Sequence, residues 1–268
     1  MSDRYANQVI VLTGASAGIG RALALELAGE RPRLVLAARD AGRLEEVAAA
    51  CRERGAEALV VPTDVTDEAA CRDLVARTVE AFGAIDALVL NAGVSMWARF
   101  EEITDLSIFE RLMRVNYHAC VWLTAAALPH LRRSRGQFVV VASLAGLAGV
   151  PTHTAYAASK HALIGFFDSL RAELAGSGVA VTIVAPDFVL SEIHRRALGP
   201  DGRALGKSPL EEGRIMTAER CARAIHRAMA RRQRLAILSL RGRVGRWVRL
   251  VAPELIDWIA RRAIARGR

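Results

Sequence analysis

Residues 9–20 read VIVLTGASAGIG. Val9 to Leu12 form a short aliphatic run with no polar residue to mark a solvent face. Such a run reads as a strand covered on both sides, as strands of parallel sheets are. Gly14, Gly18 and Gly20 follow and open a helix-period segment, Gly18–Gly29. Glycine lets the chain turn sharply and lie close to a ligand. The start of the helix offers free N–H groups and the positive end of a dipole. The turn, with Ser16 and Ile19 beside its glycines, is therefore a seat for a pyrophosphate. Three glycines alone are weak evidence; their position after the first strand of a βαβ unit gives them weight.

The same alternation runs on from there. Strands are expected at Gln8–Thr13, Arg33–Ala38, Ala58–Pro62, Ala87–Leu90, Gln137–Ala142, Ala180–Ala185 and Arg234–Ser239, with amphipathic segments such as Arg43–Arg54 and Glu68–Phe82 between them. Apolar strands separated by helices imply right-handed crossovers and a parallel sheet. The expected fold is α/β: a single Rossmann-type, doubly wound, seven-stranded parallel sheet with helices on both faces over residues 1–240. Residues 241–268 follow as a C-terminal appendage of basic amphipathic helices.

Composition narrows the classes. At 268 residues and 52% hydrophobic, the chain can bury a large core. Its longest apolar stretch, Phe138–Pro151, is too short to span a bilayer. The polar start MSDRYANQ lacks a signal-peptide segment, so a cytoplasmic location is expected. Cys51, Cys71, Cys120 and Cys221 are scattered, and the six histidines form no ligand motif, so neither a disulfide framework nor a metal site is expected. The net charge is +9. Residues 231–268 hold eleven arginines against Glu254 and Asp257, so the excess lies wholly in the tail.

The end of the second strand bears on the cofactor. NAD sites place an acid there for the ribose hydroxyls, whereas an arginine favours a 2′-phosphate. The segment LVLAARD has Ala38 and then Arg39. Arg39 with Ser16 fits NADP(H) better than NAD(H), although Asp40 next door counts the other way.

YAASK, residues 156–160, sets a phenol and an ammonium four residues apart, on one helix face. An adjacent cation favours phenolate, so Lys160 is expected to lower the pKa of Tyr156. Ser143 ends the strand QFVVVA at the carboxyl edge, where open α/β sheets bind ligands, and could hold a substrate oxygen. Taken together, TGASAGIG, Asp64-Val65, Asn91-Ala92-Gly93 and the ordered series Asn116, Ser143, Tyr156, Lys160 resemble the short-chain dehydrogenase/reductase family over about residues 8–240. The segment Met96–Tyr117 and LAGVP after Ser143 are similar to its hydroxysteroid-dehydrogenase-like branch.

The resemblance implies a catalytic tetrad of Ser143, Tyr156, Lys160 and Asn116. It makes Asp64 and Val65 adenine contacts and Asn91, Ala92 and Gly93 a cofactor-lining turn. Lys160 would also bond the nicotinamide ribose, and Asn116 would hold a water in a proton relay. Pro186, Val189 and Ser191 would lie at the nicotinamide, with Ser191 in place of a common Thr. Asp187 stands where the family usually has Gly, and Leu90 where a second Asn is common. Because Asp tolerates a positive φ less well than Gly, a slightly altered loop is expected there. Val150, Pro151, His153 and the segment Phe188–Leu205, with Met96 and Trp97, should line an apolar substrate pocket.

In the tail, Val244, Trp247, Val248 and Val251 form one stripe, and Leu255, Ile256, Ile259, Ala260, Ala263 and Ile264 another. Basic helices with Trp fit peripheral contact with an anionic membrane surface, but also a cover for the pocket or a subunit contact. Nucleic acid is not expected, since no nucleic-acid module accompanies the charge. The expected activity is NADP(H)-dependent interconversion of a hydroxyl and a carbonyl on an apolar small molecule, in a homodimer or homotetramer. An epimerase or dehydratase that retains its cofactor would show no net NADPH change. A cofactor-sensing binding protein would need no tuned phenol.

Overall fold

The computed structural model describes residues 4–208, 215–255 and Trp258. Seven parallel strands form one sheet in the order β3-β2-β1-β4-β5-β6-β7. They are β1 Val9–Thr13, β2 Arg33–Ala38, β3 Glu57–Pro62, β4 Ala87–Leu90, β5 Gln137–Val141, β6 Ala180–Ala185 and β7 Leu235–Ile237. The helices are α1 Gly18–Ala28, α2 Ala41–Arg52, α3 Glu68–Phe82, α4 Ser107–Met113, α5 Ala119–Ser134, α6 Thr154–Glu173, α7 Ala218–Ala230 and α8 Leu240–Val251.

Alternate residues of each strand feed opposite cores. Ile10 and Leu12 join Leu34, Leu36, Val89 and Val184 beneath α1, α2 and α7. Val11 joins Val35, Leu88, Val140 and Ile183 beneath α3, α5 and α6. The two-residue period of a strand sends its side chains both ways, and both ways are apolar. Residues 9–13 are buried throughout, as the aliphatic run requires.

The element ends differ by a residue or two from the sequence expectation, for local reasons. Helix α2 starts at Ala41 because the Asp40 carboxylate accepts a hydrogen bond from the Arg43 N–H, 3.0 Å away, and so caps it. Strand β5 ends at Val141, before Ser143 begins a 3₁₀ turn over Leu144–Gly146. Strand β7 is an edge strand held only by β6 and shrinks to three residues.

β1 pairs with β2 on one side and β4 on the other, so the crossovers leave it in opposite directions. The crevice beyond its carboxyl end is where such sheets bind ligands. The chain turns from β7 directly into α8. Gly242 of α8 lies so close to β5's exit that an added Cβ would come 2.5 Å from a Leu144 methyl. No helix among the described residues is long and apolar enough to cross a membrane. The second apolar stripe of the tail lies largely outside the described residues.

Candidate active site

A cavity of about 810 Å³ opens along the carboxyl edge of the sheet. Gly14, Ser16, Gly18 and Ile19 form its floor at the β1–α1 turn. Gly14 has φ +65°, and Ala17 precedes α1 without a capping side chain, so the first N–H groups of the helix remain available for an anion. Gly20 does not reach the cavity. Its place is under the turn, where a Cβ would lie 2.1 Å from the Gly14 carbonyl oxygen. Asn91 Nδ2 donates to the carbonyls of Thr13 and Gly14, and Thr13 Oγ1 accepts from the N–H groups of Asn91 and Ala92 at 3.0 and 3.1 Å. The turns after β1 and β4 are thus locked together, with Ala92 and Gly93 on the cavity wall.

At the β2 and β3 ends, Arg39, Asp64 and Val65 line the cavity. Asp40 lines the cavity beside them, and its carboxylate also accepts from the Arg43 N–H at the start of α2. Arg39 makes no hydrogen bond or ion pair among the described residues, though its charge helps hold the Asp64 carboxyl below its usual range. The main cause of that depression is the hydrogen bond from the Thr66 N–H, at 2.9 Å.

The tetrad residues converge from three elements. Ser143, in extended backbone at the exit of β5, and Tyr156 and Lys160, in the first turns of α6, face the cavity. The Ser143 hydroxyl is near enough to the Tyr156 phenol to work against the rise that burial imposes on it. Lys160 Nζ lies 5.8 Å from the Tyr156 ring centre and donates to the Val141 carbonyl at 3.0 Å. Asn116 sits in a π-helical turn, Arg114–His118, between α4 and α5. Such widened turns concentrate at functional positions. Asn116 is fully buried behind the cavity. Its Oδ1 accepts from the Val94 N–H, and its Nδ2 donates to the Val94 carbonyl and to Ser159 Oγ, each at 2.9 Å. Both amide hydrogens are committed, so the side chain holds the loop after β4 against α6.

At the other end, Val150, His153, Phe188, Val189, Pro186 and Ser191 line the cavity. Trp97 stands edge-on to His153, with ring centres 4.8 Å apart, and faces Phe188 at 6.4 Å.

The family model described as short chain dehydrogenase matches residues 8–199. The chain is 36% identical to 11-beta-hydroxysteroid dehydrogenase A of Sesamum indicum, over 97% of this chain and 76% of that protein. It is 35% identical to a dehydrogenase/reductase SDR family protein 7-like of Dictyostelium discoideum, over 95% of this chain and 81% of that one. The chain belongs to the short-chain dehydrogenase/reductase family. Its branch is the hydroxysteroid-dehydrogenase-like one, and its chemistry is NAD(P)-dependent interconversion of hydroxyl and carbonyl groups. A Burkholderia phymatum short-chain dehydrogenase/reductase in complex with NAD superposes with TM-score 0.82 at 27% identity, covering 95% of this chain and 96% of that one. An alcohol dehydrogenase of Thermococcus sibiricus complexed with 5-hydroxy-NADP superposes with TM-score 0.75 at 26% identity, covering 87% and 95%.

Two expectations for this dehydrogenase/reductase change in the folded protein. Burial pushes the Tyr156 phenol above its ordinary value, and the Ser143 hydrogen bond only partly offsets this. Lys160 does not bring it down, because burial also pulls the lysine to about 8 and weakens its own charge. The second change concerns Asp187, which needs no positive φ. Its carboxylate accepts from the Phe188 N–H at 3.0 Å, from Ser239 Oγ at 3.0 Å, and from Arg241 Nη2 and Nε at 2.6 and 3.2 Å. The replacement for Gly is a clasp that fixes the start of α8 to the exit of β6.

Through that clasp Arg241, Gly242, Gly245 and Arg246 of α8 join the cavity wall. Sequence reading assigned the helix an apolar stripe but not this inner face. The Gly242–Gly245 spacing was the available signal, since small residues one turn apart let a helix approach closely. Thr13 and Ser159 were likewise missed, because each acts through a partner more than forty residues away.

Proposed function

We propose that this protein is an NADP(H)-dependent reductase of apolar carbonyl compounds, working with Tyr156 as proton donor. The carrying observation is the convergence of Ser143, Tyr156 and Lys160 at one cavity whose cofactor end presents Arg39 and whose substrate end is aromatic and aliphatic. The residues fit a nicotinamide dinucleotide. The β1–α1 turn would take the pyrophosphate, Ser16 and Arg39 a 2′-phosphate, Asp64 and Val65 the adenine, and Lys160 the nicotinamide ribose. Pro186, Val189 and Ser191 would border the nicotinamide. When bound, the nicotinamide supplies or takes up the hydride.

The chain's own groups handle the oxygen and the proton. Ser143 donates to the carbonyl oxygen and stabilises the charge that develops on it. Tyr156 enters reduction already protonated, because burial holds its phenol up, and releases its proton to that oxygen. Lys160 supports the return of a proton to the phenol, and Asn116 holds the loop after β4 against α6 beside it. Val150, His153 and Phe188 exclude water around the apolar body of the substrate. Family membership supports a homodimer or homotetramer.

Arg39 and the apolar wall are tested together, by following NADPH and NADH oxidation with cyclohexanone derivatives, long-chain aldehydes and small sugars. Apolar ketones with NADPH are expected to give the highest kcat/KM. Arg39→Ala should lower the NADPH-over-NADH preference roughly 10- to 100-fold, the worth of a charged hydrogen bond. A wild-type preference for sugars, or an Arg39→Ala variant with unchanged cofactor preference, would defeat the respective half of the proposal.

Helix α8 supports peripheral contact with an anionic membrane. Leu240, Val244, Trp247 and Val251 recur every three or four residues and are 75, 52, 69 and 82% exposed, with Arg243 on the same helix. An exposed apolar stripe on an arginine-rich helix is the pattern of a helix that lies in a lipid interface. Co-sedimentation with phosphatidylglycerol-containing vesicles should exceed that with phosphatidylcholine alone. The double variant Trp247→Ser/Val251→Ser should reduce it by about tenfold or more, given the area withdrawn from lipid. Equal sedimentation of both proteins with both vesicle types would refute the contact.

A further inference from the structure

Most of the charge on the cavity wall is already matched. Of its arginines, Arg39, Arg111, Arg196, Arg241 and Arg246, Arg111 donates to the Gly202 carbonyl at 2.8 Å, Arg196 pairs with Glu192, and Arg241 is held by Asp187. The acids of the wall are engaged as well. Asp40 and Glu192 pair with Arg43, Asp64 accepts from Thr66, and Asp187 from Arg241. Arg39 and Arg246 make no hydrogen bond or ion pair among the described residues. Arg39 stands at the end proposed for the cofactor's 2′-phosphate. Arg246 has no task in the proposed reaction.

The helix that carries Arg246 is held firmly. Successive helix residues turn by about 100°, so Gly242, Gly245, Arg246 and Arg249 share one face of α8, opposite Leu240, Val244, Trp247 and Val251. That inner face lies along the loop after Ser143. A Cβ on Gly242 would come 2.5 Å from a Leu144 methyl, and Arg249 Nη1 donates to the Leu147 carbonyl. Arg243 Nε donates to the Ile237 carbonyl at 3.0 Å, and Asp187 grips Arg241. Helix α8 is thus tied down on both sides of Arg246. The residue itself is exposed and lines the cavity, so it stands at the rim. It lies about 6 Å along the helix from the Leu144 contact. Gly245, next to it, borders open space: a Cβ there would meet no atom within 4 Å.

A guanidinium left unpaired on a fixed helix, with every acid of the wall engaged elsewhere, makes that part of the rim positive. Its planar fork matches the oxygens of a carboxylate or a phosphate. We infer that Arg246 binds an anionic group of the substrate, at the end away from the reacting carbonyl. The inference rests on the proposed reductase reading and narrows its substrates. They have an apolar body with a carbonyl at one end and a negative charge at the other. The carbonyl meets the Ser143–Tyr156 pair while the charge remains at the rim, so neither end is buried unmatched. A neutral ketone of the same shape leaves Arg246 unused, and a cationic one is repelled.

The probes are 5-oxohexanoate, 7-oxooctanoate, 9-oxodecanoate and 11-oxododecanoate, each beside its methyl ester. They are titrated calorimetrically into the full chain saturated with NADP⁺ at low ionic strength, where binding is read without turnover. At the chain length that reaches Arg246, the acid should bind roughly three- to fivefold more tightly than its ester, the worth of a good ion pair at the edge of solvent. The ratio of acid to ester is taken within each variant, so a general change in the pocket cancels. It should fall close to one in Arg246→Gln, invert in Arg246→Glu and persist in Arg246→Lys. Equal binding of acid and ester at every length overturns the inference, and so does an advantage that survives in Arg246→Glu. Equal binding together with a loss of phosphatidylglycerol vesicles by Arg246→Glu would assign the arginine to a lipid phosphate and overturn it too. Reduction by NADPH separates the two claims. If the esters are reduced while the acids gain nothing, only the assignment of Arg246 fails. If no probe is reduced yet the acids outbind their esters and Arg246→Glu inverts this, only the reductase reading fails. If NADP⁺ or every probe fails to bind, both fail.

Discussion

Tyr156→Phe is expected to abolish most of the turnover while leaving the cofactor in place. Phe keeps the ring that packs against His153 and Lys160, whose distances to it are 6.1 and 5.8 Å between centres and from Nζ. It removes only the phenolic hydroxyl. Loss of a positioned general acid costs about 10²–10⁴ in rate, so NADPH oxidation with a ketone should fall by that factor. NADPH affinity, from fluorescence titration, should stay within about threefold, since one neutral hydrogen bond is worth little more. The pH dependence has a definite sign. Burial raises the phenol's pKa, so the acid form needed for reduction prevails at neutral pH and is lost only in alkaline solution. Alcohol oxidation, which needs the phenolate, should rise with pH across the same range. An active Tyr156→Phe enzyme, or one that loses NADPH binding together with turnover, contradicts this assignment.

Lys160→Met should show function and stability moving in opposite directions. Turnover should drop by about 10²–10⁴, and NADPH affinity should fall as well, by roughly 10- to 100-fold for the loss of a charged hydrogen bond. This loss of affinity distinguishes it from Tyr156→Phe. The cofactor-free protein, however, should become more stable near pH 7. Folding pulls the lysine from its ordinary 10.5 to about 8 by burying it. Below pH 8 the folded and unfolded chains both carry the proton, and the folded one bears the full penalty, about 3 kcal/mol for a shift of that size. From pH 8 to 10.5 the folded chain has released its proton while the unfolded chain keeps it, so the penalty fades as pH rises. Met leaves the Val141 carbonyl without its 3.0 Å donor, which costs about 1 kcal/mol. Urea unfolding at pH 7 should therefore show a gain of about 2 kcal/mol that disappears by pH 10.5. A gain that is constant with pH, or a net loss at pH 7, would mean that Lys160 is not a strained buried cation.

The two variants bear on why the apo site differs from the sequence expectation. A four-residue spacing guarantees that Tyr156 and Lys160 share a helix face, and the structure keeps them there. Whether the pair is a phenolate beside an ammonium depends on what else is near, which spacing does not contain. Here both groups are buried, and desolvation opposes charge on each of them. The cofactor end was more legible. Ala38-Arg39-Asp40 left two readings open, and in the folded chain Arg39 and Asp40 both line the cavity while Asp40 also caps α2.

The run Val9–Leu12, the glycines after it and the repeated strand–helix alternation determined the doubly wound sheet. Those signals are local, and each expected strand is present with shifts of a residue or two at its ends. Local patterns suffice for this because the two-residue and 3.6-residue periods follow from backbone geometry within a single element. The order of Asn116, Ser143, Tyr156 and Lys160 likewise pointed to the site, since each stands at a fixed place relative to its own strand or helix. Only the tertiary structure decided what depends on pairs far apart in the chain. Asp187 clasps Arg241 across 54 residues, turning an apparent departure from the family pattern into the contact that brings α8 to the cavity. His194 Nδ1 is buried without a hydrogen-bond partner among the described residues, which the fold alone brings about. Burial, unmatched polar atoms and the pKa values they shift are properties of the packed surroundings, and no spacing along the chain encodes them.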